Sequence, residues 1–102
     1  MDKIDRIIAS LDIDDLEYLG ILNLGKGQRA VYELKRAGLS YNTIAEQTGT
    51  SYSAAYQSYR AASFYIYEAQ RKLQRILHLL TEDPSYQQKI QEAITNDEEV
   101  QQ

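Results

Sequence analysis

The chain is expected to be all-α: a helical bundle in which one extended helix continues into a coiled-coil-like dimerisation segment. Three observations predict this. Apolar residues recur at helical spacing along most of the 102 residues. Serine, aspartate and glycine stand where those segments begin and end, and no sustained apolar/polar alternation marks a half-buried strand. At the N-terminus Ile4, Ile7, Ile8 and Leu11 share one helical face and predict a short amphipathic helix. Asp12 or Asp14 can cap a second helix, which turns Leu16, Leu19 and Leu22 inward and stops at Gly25, with Gly27 completing a tight connection. A third runs from about Gln28 to Ala37, presents Ala30, Val31, Leu34 and Ala37 on one side, and ends at Gly38.

Ser40 can cap a fourth helix, Gly49 supplies the positive φ of the following turn, and Ser51 caps a fifth. No Gly or Pro follows Ser51 until Pro84, so this helix is expected to reach about Leu80, a length of about 43 Å at the usual rise. Asp83 and Pro84 make a good start for a last helix carrying Ile90, Ala93 and Ile94, because a proline in the first turn loses no hydrogen bond. The expected organisation is a helical domain over 1–62 with the helix-turn-helix at 40–62, a continuing long helix over 63–81, a C-terminal helix over 82–95 and an acidic disordered tail over 96–102.

This length predicts one domain, with a modest core and little room for a multi-part enzyme. There are no cysteines, which excludes disulfides and thiolate metal sites; with no leader apparent, a reducing, cytoplasmic setting is expected. The longest apolar run is Phe64 to Tyr67, so no membrane span is expected. The net charge is −4, but it is unevenly placed. Residues 1–25 carry −4 and residues 76–102 carry −5, whereas the segment between them carries +5. A basic centre with acidic ends is the electrostatic footprint of a DNA-binding core.

The basic block coincides with a punctuated segment. Ile44 and the small Ala45 follow Ser40, the turn glycine Gly49 stands four positions after Ala45, and Ala55 and Tyr59 can anchor the next helix. From about Leu34 to Ala62 the chain resembles the helix-turn-helix superfamily, most closely the variant in region 4 of sigma factors and in LuxR-type response regulators. The residues that carry the resemblance are Gly38, Ser40, Ile44, Ala45, Gly49 and Ser51, in the family's order and spacing. Thr50 and Ala55 depart from it, standing where the family favours Ile or Val and Val.

In a docked helix-turn-helix the exposed start of the second helix enters the major groove. The expected base contacts are therefore Ser51, Tyr52, Ser53, Tyr56 and Gln57. Gln57 can pair with adenine through two hydrogen bonds, the serines can make single ones, and the tyrosine rings can meet thymine methyls or phosphates. Tyr52, Tyr56 and Tyr59 also share a helical stripe, so Tyr56 fits either the core or the groove. Lys26, Arg29, Lys35, Arg36 and Arg60 are the expected phosphate contacts.

Further along, Tyr59, Ile66, Leu73 and Leu80 recur every seven residues, and Ala62, Ala69 and Ile76 follow the first three at a distance of three. This is an a/d seam, expected to be the interface of a homodimer; the same stripe also suits packing on the chain's own N-terminal helices. Gly20 to Lys26 meets part of a phosphate-binding loop but ends in Gly27 where Ser or Thr is needed. His78 is the only histidine and has no companion ligands, so no metal or cofactor is expected. No nucleophile, base and orienting group assemble, so an enzyme is not expected.

The expected function is binding of double-stranded DNA, serving transcriptional regulation. Two alternatives keep the fold: a phage small-terminase-like packaging adaptor, and a protein-binding module that docks on RNA polymerase or a sigma factor.

Overall fold

The computed structural model describes residues 2–101, with side chains described as far as residue 96. Six helices account for it: α1 Lys3–Ala9, α2 Ile13–Tyr18, α3 Lys26–Arg36, α4 Tyr41–Thr48, α5 Tyr52–Glu82 and α6 Pro84–Gln101. Among the described residues there is no strand, and no helix is long and apolar enough to cross a membrane.

Short polar side chains start these helices by satisfying backbone donors that a first turn leaves free. Asp2 Oδ1 accepts from the Asp5 N–H at 2.8 Å at the head of α1. At α2 the cap is Asp12, whose carboxylate accepts from the Asp15 N–H at 2.9 Å, while Asp15 accepts in return from the Asp12 N–H at 3.0 Å. Ser40 accepts from Thr43 at 3.2 Å and Ser51 from Ala54 at 3.1 Å, as their positions in the sequence predict. Ser40→Ala removes the first of these pairs and is expected to lower stability by about 1 kcal/mol, read as a fall in the urea midpoint with unchanged slope.

α2 stops at Tyr18, well before the expected Gly25. Gly20 takes φ +78°, its N–H donates to the Glu17 carbonyl, and the Ile21 N–H donates to that of Leu16. This paired closure of a helix end needs a left-handed residue, which only glycine supplies without strain. Leu19 is consequently exposed, not inward, and Leu22 and Leu24 reach the core from the non-helical segment that follows. α3 begins at Lys26 and takes Gly27 into its first turn; on its inner side Val31 is buried and Leu34 half-buried, whereas Ala30 and Ala37 are exposed.

α5, 31 residues and about 46 Å long at 1.5 Å per residue, is the spine. Two hydrophobic clusters form along it. At one, Ala62, Ile66, Ala69 and Leu73 of α5 bury Ile4 and Ile8 of α1, Leu16 of α2, and Leu22 and Leu24. Nearer the start of α5, Val31, Ile44, Ala45 and Ala55 join α3, α4 and α5, with Leu34, Leu39, Tyr41 and Tyr59 packed around them. The rings of Tyr32 and Tyr59 stack at 5.6 Å between centroids and bridge α3 to α5.

This packing corrects the expected dimer seam. Ala62, Ile66, Ala69 and Leu73 are buried against the same chain's α1 and α2, and Tyr59 lies against Tyr32 and Tyr41. The small alanines admit a neighbouring helix closely, as a small a/d residue should, but that helix is intramolecular. Only Ile76 and Leu80 of the expected interface remain exposed.

α6 starts with Pro84 in its first turn, and the Asp83 carboxylate accepts from the Ser85 N–H at 2.9 Å. It extends to Gln101, past the expected end at 95; the acidic tail expected over 96–102 falls largely outside the residues with described side chains. α6 approaches only α5, and every described side chain on it is exposed. The molecule is elongated in consequence. It measures 58 × 33 × 17 Å, with a radius of gyration of 18.9 Å where a compact domain of this length has about 13 Å.

Candidate nucleic-acid interface

The α4–α5 junction is built from small residues on the inside and a left-handed glycine at the corner. Ile44 and Ala45 of α4 meet Ala55 of α5, and all three are buried. Gly49 takes φ +69°, and the Thr50 N–H donates to the Ala45 carbonyl at 2.9 Å, so α4 ends and the chain turns within two residues. Gly38 ends α3 in the same manner, with the Leu39 N–H donating to the Leu34 carbonyl at 3.2 Å. Together these turns hold α3, α4 and the first part of α5 around one cluster.

The residues expected to face a groove are all on the outside: Ser51, Tyr52, Ser53, Tyr56 and Gln57 are exposed. The tyrosines are not free rings, however. Tyr52 and Tyr56 each meet the ring of Tyr41 edge-to-face, both at 5.4 Å between centroids, while keeping 53% and 41% of their surface in solvent. Tyr56, which the sequence left between core and groove, is therefore packed on Tyr41 and still 41% exposed. Such edge-to-face contacts stabilise a half-buried ring and fix its direction.

Tyr41 organises this surface and was not among the expected site residues. It stands at the first position of α4, eleven residues from Tyr52, and the contact exists only because the Gly49 turn folds one helix across the other. Burial pushes its hydroxyl above the ordinary tyrosine range, with Tyr59, Tyr56 and Tyr52 adding to the shift, so it stays a neutral donor at physiological pH.

Two of the expected phosphate contacts border the tyrosines. Lys35 Nζ lies 4.2 Å from the centre of the Tyr41 ring, and the Arg60 guanidinium lies 5.8 Å from that of Tyr56. A cation over a ring face is attracted by the ring's quadrupole, which holds these flexible side chains near the surface they flank. Arg36 follows Lys35 at the end of α3 and is exposed. Lys26 is also exposed but lies at the other end of α3, about 14 Å along the helix from Lys35.

Arg29 is a correction. Its guanidinium is engaged by three carboxylates: Asp14, Glu17 at 2.7 Å and Glu33 at 3.1 Å. The hydrogen bonds to Asp14 and Glu33 raise its pKa further above the usual arginine value. A guanidinium with its donors committed to acids from α2 and α3 fastens those helices together and is not presented to phosphate. The sequence hides this because Asp14 and Glu17 come from a distant segment; only the i, i+4 pair with Glu33 could be read from spacing.

Elsewhere, His78 Nδ1 lies 3.1 Å from Glu82, and no cluster of metal-ligating side chains occurs among the described residues. No protein-family model, curated protein or solved structure matches the chain.

Proposed function

We propose that the chain binds double-stranded DNA, with α4, the Gly49 turn and the start of α5 acting as a helix-turn-helix, and that it serves transcriptional regulation. The observation that carries this reading is the outward face of Ser51, Tyr52, Ser53, Tyr56 and Gln57, bordered by Lys35 and Arg60 held on tyrosine rings. Gln57 supplies the donor and acceptor pair that adenine requires, and the serine hydroxyls supply single hydrogen bonds. Lys35, Arg36 and Arg60 neutralise phosphates on either side of the groove. No arginine lies in the first two turns of α5, so guanine readout contributes little, and groove shape carries part of the preference.

The test is fluorescence anisotropy with mixed-sequence duplex fragments at low salt. Binding in the micromolar range is expected, and an absence of binding at tens of micromolar rejects the proposal. Arg60→Ala is expected to weaken binding to all sequences alike and to reduce the slope of log K against log salt by about one. An unchanged slope rejects the phosphate role of Arg60.

A second reading has one specific observation in its favour. With Arg29 held by acids, the face keeps two exposed tyrosine rings, Tyr52 and Tyr56, and no cation of its own, a composition suited to a protein surface such as that of RNA polymerase or a sigma factor. Retention of a polymerase subunit by the immobilised chain from nuclease-treated lysate, together with failure of the duplex titration, favours this reading.

A further inference from the structure

α6 carries an apolar stripe of Tyr86, Ile90, Ala93 and Ile94 at helical spacing. Tyr86, Ile90 and Ile94 are exposed, because no described residue covers them. At the other side of the joint, the end of α5 has its own uncovered apolar ground. Ile76 and Leu79 are exposed and, with Ile21, floor a shallow groove walled by Lys72 and Arg75. The two surfaces match in polarity, and the sequence of α6 opposes the groove in charge: residues 84–101 hold one lysine against four acids, whereas Lys72 and Arg75 line the groove.

They cannot meet within one protomer. A pair of antiparallel helices needs a loop of about two to five residues, and only Asp83 separates α5 from α6. Pro84 restricts the joint further by holding the first φ of α6 in a helical value. A helix that suits a groove of its own chain, on a linker too short to reach it, is the arrangement in which identical protomers exchange the element.

We infer that α6 of one protomer lies in the Ile21/Ile76/Leu79 groove of a second copy, reciprocally, to form a twofold dimer. The contact is isologous: each protomer gives one helix and receives one. It replaces the heptad interface that the sequence led one to expect, uses residues the fold leaves open, and does not depend on duplex binding.

The experiment is sedimentation equilibrium of the full chain over a wide concentration range, with three variants. The unaltered chain is expected at twice 11.7 kDa. Ile90→Asp with Ile94→Asp places charges in the stripe at positions already exposed in the protomer; helix content should hold by circular dichroism while the dimer dissociation constant rises about 30-fold or more. Lys72→Glu with Arg75→Glu leaves the apolar contacts in place, weakens the dimer, and lessens its dependence on salt. Inserting Gly-Ser-Gly-Gly after Asp83 lets α6 fold back on its own groove and shifts the mass towards a compact monomer. A monomer at every concentration, a ring of many subunits, or a dimer indifferent to the α6 charges or to the insertion overturns the inference.

Discussion

Reversing the charge at Lys35 and Arg60 together is expected to weaken duplex binding by about 100-fold or more at moderate salt, since each contact changes from attraction to repulsion. The two cations border the tyrosine cluster, one over Tyr41 and the other over Tyr56. Arg60 is exposed; Lys35 is half-buried and its ammonium donates to the Leu39 carbonyl at 3.4 Å, but neither belongs to a hydrophobic cluster or makes an ion pair among the described residues, so the helices should survive the replacement. Anisotropy over a salt series reads the effect, with circular dichroism as the control for folding. The matching reversal at Arg29 separates a structural role from a phosphate contact. If the carboxylates of Asp14, Glu17 and Glu33 hold that guanidinium, its loss should lower stability with little change in the salt slope. A slope that falls with Arg29 and not with Lys35 and Arg60 rejects this placement of the interface.

Leu16→Ala should produce the largest loss of stability. Leu16 is one of the two largest fully buried side chains and is the buried residue of α2. α2 has six residues, far too few to persist as a helix without packing. Truncating a buried leucine costs about 2–5 kcal/mol, depending on how far the surroundings collapse into the space. The total stability of a domain is about 5–15 kcal/mol. The urea midpoint should therefore fall by about 1 M or more, given slopes of about 1–3 kcal/mol per molar. A midpoint within a few tenths molar of the unaltered chain contradicts the burial of the α5 alanines beneath α1 and α2.

Much of the helical layout is legible in the sequence because local chemistry sets it. Ser40, Ser51 and Asp83 each open a helix where their side chains reach a free backbone donor, and Gly38 and Gly49 close helices where a left-handed residue is needed. Gly20 carried the same signal but stood inside a run of leucines whose spacing also fits a longer helix, and the apolar pattern outweighed the glycine. The heptads of α5 were legible as an apolar face, but such a pattern does not say what covers it. Here α1 and α2 do. At the candidate interface, exposure of Tyr52, Ser53, Tyr56 and Gln57 follows from their angular position on α5. Tyr41 and the carboxylates around Arg29 do not follow from spacing, because their contacts join segments that meet only after the helices cross.

One unbroken rod of backbone runs through both hydrophobic clusters, and the Tyr32–Tyr59 stack ties a second helix across the gap between them. Loosening either end disturbs the geometry on which the other relies. Apart from α6, which neither cluster holds, the helices therefore share one footing, and a perturbation far from the tyrosine face still changes the base from which that face is held.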